Sequence, residues 1–93
     1  MIVGVMTVEL ALLDAQTLKD KRQIVQSLKQ RLSNRFSVSI CETDYGDYAK
    51  RCQLGIALVS TESRMAHSLL DKVVEVVRRT AGLTLISYER QLL

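Results

Sequence analysis

Two hydrophobic periods alternate along this 93-residue chain, and their order restricts the fold more than any other feature. Apolar side chains at every second residue over 2–13 predict a strand with one buried face. A 3.6-residue period over 17–35 then predicts an amphipathic helix. The stretch 37–92 continues as two strands, a helix and a last strand. The predicted element order is therefore βαββαβ.

The residues at the element ends agree with this order. Thr17 is the predicted N-cap of the first helix, with Asp20 three residues later as in a capping box. That helix is predicted to run to Arg35, and a cap within 60–63 starts the second helix, for which Gly82 is the predicted stop. The four strands are predicted over 2–13, 37–43, 52–60 and 83–92, with a polar loop over 44–51.

Two βαβ units joined by a hairpin make a split βαβ, the ferredoxin-like arrangement. Right-handed crossovers put both helices on one face of a four-stranded antiparallel sheet with the strand order 4-1-3-2. A chain of this length forms one domain with one core. The sequence therefore predicts a single α+β domain over residues 1–93.

Cys41 and Cys52 fall on the two strands of the hairpin. A two-residue turn would set them opposite each other, but it would also set Ile40 opposite Gln53 and mix the core and solvent faces. We therefore expect a longer loop or a bulge that brings Ile40 onto the face of Ile56, with the two cysteines on opposite faces. Two reduced thiols are typical of a cytoplasmic protein.

The sequence shows no membrane or secretion signal. No apolar run reaches the roughly 18 residues that a membrane span needs, because Gly4, Thr7 and Glu9 interrupt the longest one. The same run lacks a basic leader and a cleavage site, so a signal peptide is not expected. We predict a cytoplasmic protein.

Positive charge is concentrated in the first helix. Residues 17–35 hold six basic residues and one acidic residue, a net charge of +5, whereas the rest of the chain holds seven against nine, a net charge of −2. In the predicted topology the start of this helix, the loop 44–51 and the end of the second helix meet at one end of the molecule. The basic residues expected there are Lys19, Lys21, Arg22, Lys50, Arg51, Arg78 and Arg79.

Such a cluster suits phosphates, and several phosphates in series suit a nucleic-acid backbone. The unpaired N–H groups of the first helical turn are expected to point the same way. The alternative is a solvated basic face on which Lys21 lies along the apolar stripe of the helix.

Sequence readout on the sheet is not expected. RNA-binding folds of this topology stack bases on aromatic residues of the two central strands. The corresponding positions here are Thr7, Glu9, Gln53, Gly55 and Ala57. If RNA binds, it should bind through phosphates and RNA shape.

No catalytic or metal-binding pattern is present. His67 is the only histidine, and no Cys/His cluster has the spacing of metal ligands. Glu9 and Glu89 can share the helix-free sheet face as an acid/base pair, although solvent-facing strand residues are the simpler interpretation. We predict no catalytic residues, no metal and no cofactor.

The helix-free sheet face suggests a second hypothesis. Val3, Val5, Ala57 and Val59 are expected to lie there without a cover. Exposed apolar patches often become interfaces, and two-fold dimers are the commonest assemblies. Homodimerisation through this face or an edge strand is therefore an alternative hypothesis. The simpler interpretation is that these are a few scattered exposed valines.

Several segments together resemble the small bacterial YlxP-like family. They are Thr17-Leu18-Lys19-Asp20-Lys21-Arg22, Asn34-Arg35-Phe36-Ser37-Val38, the single residues Glu42, Asp47 and Arg51, and Leu54-Gly55-Ile56-Ala57. The order and spacing match over nearly the whole chain. Members often carry an aromatic two residues after the position of Asp47, where this chain has Ala49.

The resemblance implies a ferredoxin-like fold without an assigned biochemical activity. Genes of this family tend to lie near those for a translation initiation factor and a ribosome-binding factor, which implies work on RNA or the ribosome. The leading hypothesis is a non-enzymatic RNA- or ribosome-associated protein, and the alternative is a dimeric ligand-sensing or protein-interaction module. The predicted RNA-contacting residues are Lys19, Lys21, Arg22, Lys50 and Arg51, with Asp47 organising the loop.

Overall fold

The structure is a computed structural model that describes residues 1–93, and it has the predicted element order. The strands are β1 (Ile2–Ala11), β2 (Ser39–Asp44), β3 (Arg51–Ser60) and β4 (Thr84–Leu92), and the helices are α1 (Leu18–Arg35) and α2 (Ser63–Arg78). All strand pairs are antiparallel, in the order β2-β3-β1-β4. This is the predicted order read from the other edge, so the ferredoxin-like fold is confirmed. Neither helix is long and apolar enough to cross a membrane.

Both helices pack on one face of the sheet and enclose a mainly aliphatic core. β1 and β3 alternate between buried and less buried residues, as the two-residue period predicts. The core includes Met6, Val8, Leu10 and Leu12, then Leu54, Ile56 and Leu58, with Val25, Leu28 and Leu32 from α1 and Leu70, Val73 and Val77 from α2. The predicted inward residues Ile2, Leu18, Ile24 and Leu69 are only partly buried.

A β-bulge sets the register of the hairpin. Glu42 pairs with Leu54 and Asp44 pairs with Gln53, so Thr43 is the extra residue of β2. Thr43 Cγ2 would lie 2.9 Å from a Cβ at Gly55, so any larger residue there would have to displace the Thr43 side chain.

The bulge keeps the apolar residues of the hairpin on one face. Ile40 pairs with Ile56, as predicted. Cys41 is exposed on the other face and Cys52 is buried in the core, and both thiols are free. The expectation of two unpaired cysteines on opposite faces is confirmed.

Several element ends differ from the prediction. β2 begins at Ser39, two residues later than predicted, and the starts of β3 and β4 differ by one residue. β1 stops two residues early because Leu12 leaves the sheet: its N–H donates to the Lys50 carbonyl at 2.9 Å and its carbonyl accepts from Ala15 N–H. α2 stops at Arg78, where Thr80 Oγ1 then donates to the Val76 carbonyl at 2.8 Å. Gly82 has a φ of 88° and serves the following turn instead.

The predicted capping box at the start of α1 is present. Asp20 N–H donates to Thr17 Oγ1, and Gln16 N–H and Thr17 N–H donate to the Asp20 carboxylate. The start of α2 is different: its N-cap is Glu62, inside the predicted segment, but no side chain caps the helix.

The capping box makes stability depend on pH. The backbone N–H groups of Gln16 and Thr17 lower the pKa of Asp20 from its ordinary value of 3.8. This stabilisation is complete above the unfolded-state pKa and is lost as the pH falls through the lower folded-state pKa. Urea unfolding should therefore show Asp20→Ala less stable than wild type at neutral pH, with the difference closing in strong acid. A difference that persists unchanged at acid pH would contradict this.

Candidate nucleic-acid interface

The sheet topology places the predicted basic segments at one end of the molecule. Ala11, at the end of β1, pairs with Arg51 on one side and with Thr84 on the other. The segments 12–18, 44–51 and 78–84 therefore lie at this end, which we call the loop end. The molecule is elongated, with extents of 42 × 21 × 18 Å, so the loop end is well separated from the opposite one.

Lys21 does not face solvent at the loop end. Its side chain is only 2 % exposed, and its Nζ lies 2.7 Å from Glu42 Oε2. The same ammonium donates to the main-chain carbonyls of Tyr45 and Tyr48, the latter at 2.8 Å. A lysine ammonium has three N–H donors, and here a carboxylate and two carbonyls take all three. We call this set of contacts the Lys21 clamp.

The clamp holds a compact loop between β2 and β3. Tyr45 has a φ of 63°, in the left-handed region that non-glycine residues rarely adopt. Its N–H donates to Asp44 Oδ1 at 2.7 Å, and its carbonyl accepts from Tyr48 N–H at 3.0 Å. Lys50 ties the end of the loop to the segment after β1, because its Nζ donates to the Leu13 carbonyl at 2.7 Å.

Arg51 is also occupied within the protein. Its guanidinium lies 3.2 Å from Glu9 Oε2 and packs over the Tyr45 ring at 5.0 Å from the centroid. Gln53 Nε2 donates to the other Glu9 oxygen at 2.6 Å. Glu9 therefore holds a half-buried arginine and a glutamine on the helix-free face.

Lys19 and Arg22 flank the clamp and remain exposed. Neither takes part in any ion pair or side-chain hydrogen bond of the structure. At the end of α2, Arg78 lies over the Tyr88 ring, and Arg79 forms a long 3.9 Å pair with Glu75. The cations with the freest access to a ligand at this end are thus Lys19 and Arg22.

The capping box fills part of the start of α1, whereas the N–H groups of Leu18 and Lys19 have no acceptor in the structure. The Asp20 carboxylate and the Thr17 hydroxyl accept from the N–H groups of Gln16, Thr17 and Asp20. The carboxylate also places a negative charge beside the positive end of the helix dipole. The expectation that unpaired N–H groups of this turn point at a ligand is therefore wrong in part.

Two of the predicted site assignments need correction. Lys21 cannot contact RNA as predicted, because its ammonium is buried and fully hydrogen-bonded. The loop is organised by Lys21 and Asp44, whereas Asp47 is exposed and makes no side-chain hydrogen bond. The sequence carried a signal for the first correction. Lys21 precedes Val25 and Leu28 at four and seven residues, so it lies on the buried stripe of α1.

The thiol, imidazole and carboxylate groups elsewhere in the chain form no further cluster. Burial raises the pKa of the Cys52 thiol to about 12, and the nearby Glu42 carboxylate adds to this, so the thiol stays protonated. His67 is exposed on α2. No three His, Cys, Asp or Glu side chains come together as metal ligands.

The helix-free face has the predicted apolar patch. Val3 pairs with Val59 and Val5 pairs with Ala57, so the four side chains form one block at the end of the sheet opposite the loop end. Val59 is 62 % exposed and the other three are partly buried. Whether this face joins two copies stays a prediction.

Comparison with known proteins gives a family but no activity. A family described as "Protein of unknown function (DUF503)" matches residues 3–90. The "Uncharacterized protein YlxP" of Bacillus subtilis (strain 168) is 33% identical over 75 residues, which cover 81% of this chain and 82% of that protein. These matches confirm the YlxP-like resemblance.

Solved structures resemble the chain in fold alone. The de novo designed ferredoxin-fold protein LFR1 1 superposes with a TM-score of 0.55 at 15% identity, covering 99% of this chain and 85% of the design. The design Foldit4 has a TM-score of 0.54 at 9% identity, covering 100% of this chain and 97% of the design.

A double-mutant cycle tests the clamp. Glu42→Gln leaves a buried ammonium without its carboxylate and should cost roughly 2–3 kcal/mol in urea unfolding, since Glu42 is 30 % exposed and only partly desolvated. Lys21→Met leaves two loop carbonyls without a donor and should cost about 1–2 kcal/mol. The double variant should resemble Lys21→Met, because no unpaired charge remains. Additive losses would show that the two side chains do not interact.

Proposed function

The chain belongs to this DUF503 family of unknown function, and we propose that it is a non-enzymatic RNA-binding protein that contacts phosphates through the outer face of α1. The gene neighbourhood of YlxP-like proteins makes ribosomal RNA, free or in the ribosome, the first target to test. Such a role places the protein in the cytoplasm, where free thiols such as Cys41 and Cys52 remain reduced.

The observation that carries the proposal is the composition of this face. We define the outer face of α1 as the side of the helix opposite its buried stripe. Its residues are Lys19, Arg22, Gln23, Gln26, Lys29, Gln30, Ser33 and Asn34. They include three cations, of which Lys29 is partly buried, and the others are amides and a hydroxyl, all of which commonly contact nucleic-acid backbones. The one carboxylate of the helix, Asp20, lies beside Lys19 and is held in the capping box. At 1.5 Å per residue, Lys19 and Lys29 lie about 15 Å apart along the helix.

The second helix provides a contrast within the same molecule. The exposed side of α2 mixes Arg64 and Lys72 with Asp71 and Glu75. Both carboxylates also form ion pairs, Asp71 with Arg90 and Glu75 with Arg79. A phosphate approaching α2 therefore meets two carboxylates, whereas α1 carries one, Asp20, which accepts from main-chain N–H groups in the capping box.

The salt dependence of RNA binding tests this proposal. Affinity of wild type for a labelled ribosomal RNA fragment should fall linearly with salt on logarithmic axes, with a slope of roughly −0.7 to −0.9 per phosphate contact. Lys19→Ala/Arg22→Ala should weaken binding and reduce the magnitude of the slope by roughly 1.5, because two contacts are lost. Fluorescence anisotropy over a range of salt concentrations measures both quantities.

The chain offers a matched control. Arg64→Ala/Lys72→Ala also removes one lysine and one arginine, both exposed and outside the ion pairs, but from α2. This variant should keep the wild-type slope. Equal losses in the two double variants would mean that only net charge matters, and the outer face of α1 would then have no special role.

A second candidate function is favoured by the apolar block on the helix-free face. Val3, Val5, Ala57 and Val59 are adjacent in the β1–β3 register, and a two-fold axis through the block would bury it against a second copy of the chain. In sedimentation velocity the wild type should then be a dimer, and Val59→Asp should be a monomer. A wild-type monomer at high protein concentration would exclude this candidate.

A further inference from the structure

We propose that the loop between β2 and β3 presents Tyr48 as a stacking surface for an unpaired base, so that the RNA that binds is single-stranded. This inference rests on the proposed function and names the class of RNA that the protein takes. It is drawn from the order of the loop, the exposure of Tyr48 and the position of the free cations.

Two features of the ordered loop each cost free energy. Lys21 is a charged side chain withdrawn almost completely from water, which costs free energy even when the charge is paired. Tyr45 holds a positive φ, which is strained for a residue with a side chain. Strained and desolvated groups of this kind concentrate where a particular geometry is needed for function.

The ordered loop holds an exposed aromatic ring, that of Tyr48, in a fixed position. The Tyr48 main chain is fixed twice, because its carbonyl accepts from Lys21 Nζ at 2.8 Å and its N–H donates to the Tyr45 carbonyl at 3.0 Å. The Tyr45 ring supports the Tyr48 ring edge to face, with centroids 6.1 Å apart and an angle of 79°. Nevertheless 66 % of Tyr48 is exposed.

The part of α1 that contacts the Tyr48 main chain also carries the free cations of the loop end. Lys19 and Arg22 are immediate neighbours of Lys21 in the first turns of α1, and the ammonium of Lys21 touches the main chain of Tyr48. Lys50, two residues after Tyr48, is engaged instead with the Leu13 carbonyl. An aromatic ring beside cations that contact the backbone is the arrangement by which proteins hold single strands. The bases of a duplex are stacked inside it and cannot reach such a ring.

The test compares three tyrosine variants on defined RNAs. The probes are a labelled single-stranded oligoribonucleotide, the same oligonucleotide with abasic residues, and its duplex. Tyr48→Ala should weaken single-strand binding about 5- to 100-fold with an unchanged salt slope, because stacking involves no counterion release. Tyr48→Phe should retain binding. Tyr88→Ala is the matched control, since Tyr88 is also exposed and lies near Arg78 and Arg90.

The abasic oligonucleotide tests the inference with the unaltered protein. Wild type should bind it as weakly as Tyr48→Ala binds the normal strand, and the duplex should bind no more tightly than the abasic strand. If abasic and normal strands bind wild type equally, or if Tyr48→Ala binds like wild type, the stacking role is overturned. Should Lys19→Ala/Arg22→Ala still weaken binding in that case, phosphate contact by α1 stands alone. Should it have no effect, the proposed function falls as well.

Discussion

The Lys21 clamp is the interaction on which the loop end depends. It joins the first turn of α1 to the hairpin between β2 and β3, two elements that are distant in sequence. A buried charge is tolerated only when all its donors are satisfied, and here Glu42 and the carbonyls of Tyr45 and Tyr48 satisfy them. The clamp thereby fixes the loop conformation and removes one of the basic side chains from the surface.

The division of charge at the loop end decides where an anionic partner can bind. Lys21 and Arg51 are held by Glu42 and Glu9, so carboxylates from the sheet neutralise the part of the cluster nearest the sheet. The cations without such partners lie along the outside of α1. The surface suited to phosphates therefore follows the helix, and the loop contributes an aromatic ring beside it rather than further charge.

The fold was predictable because each element carries its own signal, whereas the site depends on contacts between elements. The topology followed from the alternation of apolar and polar residues in β1 and β3 and from the capping box of Thr17 and Asp20. The hairpin register followed from the need to keep Ile40 on the core face. Partners of charged residues have no such local pattern. Nothing local links Arg51 to Glu9, and only the helical period hinted that Lys21 is buried. The exposed ring of Tyr48 depends on a bulge, a positive φ and a clamp acting together.

Selective labelling of lysine side-chain nitrogens with ¹⁵N gives the most direct test of this division of charge. In NMR spectra a buried, hydrogen-bonded ammonium exchanges its protons with water slowly, whereas exposed ammonium groups exchange quickly. One ammonium signal, assigned to Lys21 by its loss in Lys21→Met, should persist in slow exchange both without and with RNA. A Lys21 ammonium that exchanges its protons as fast as that of Lys19 would contradict the clamp and the binding surface inferred from it.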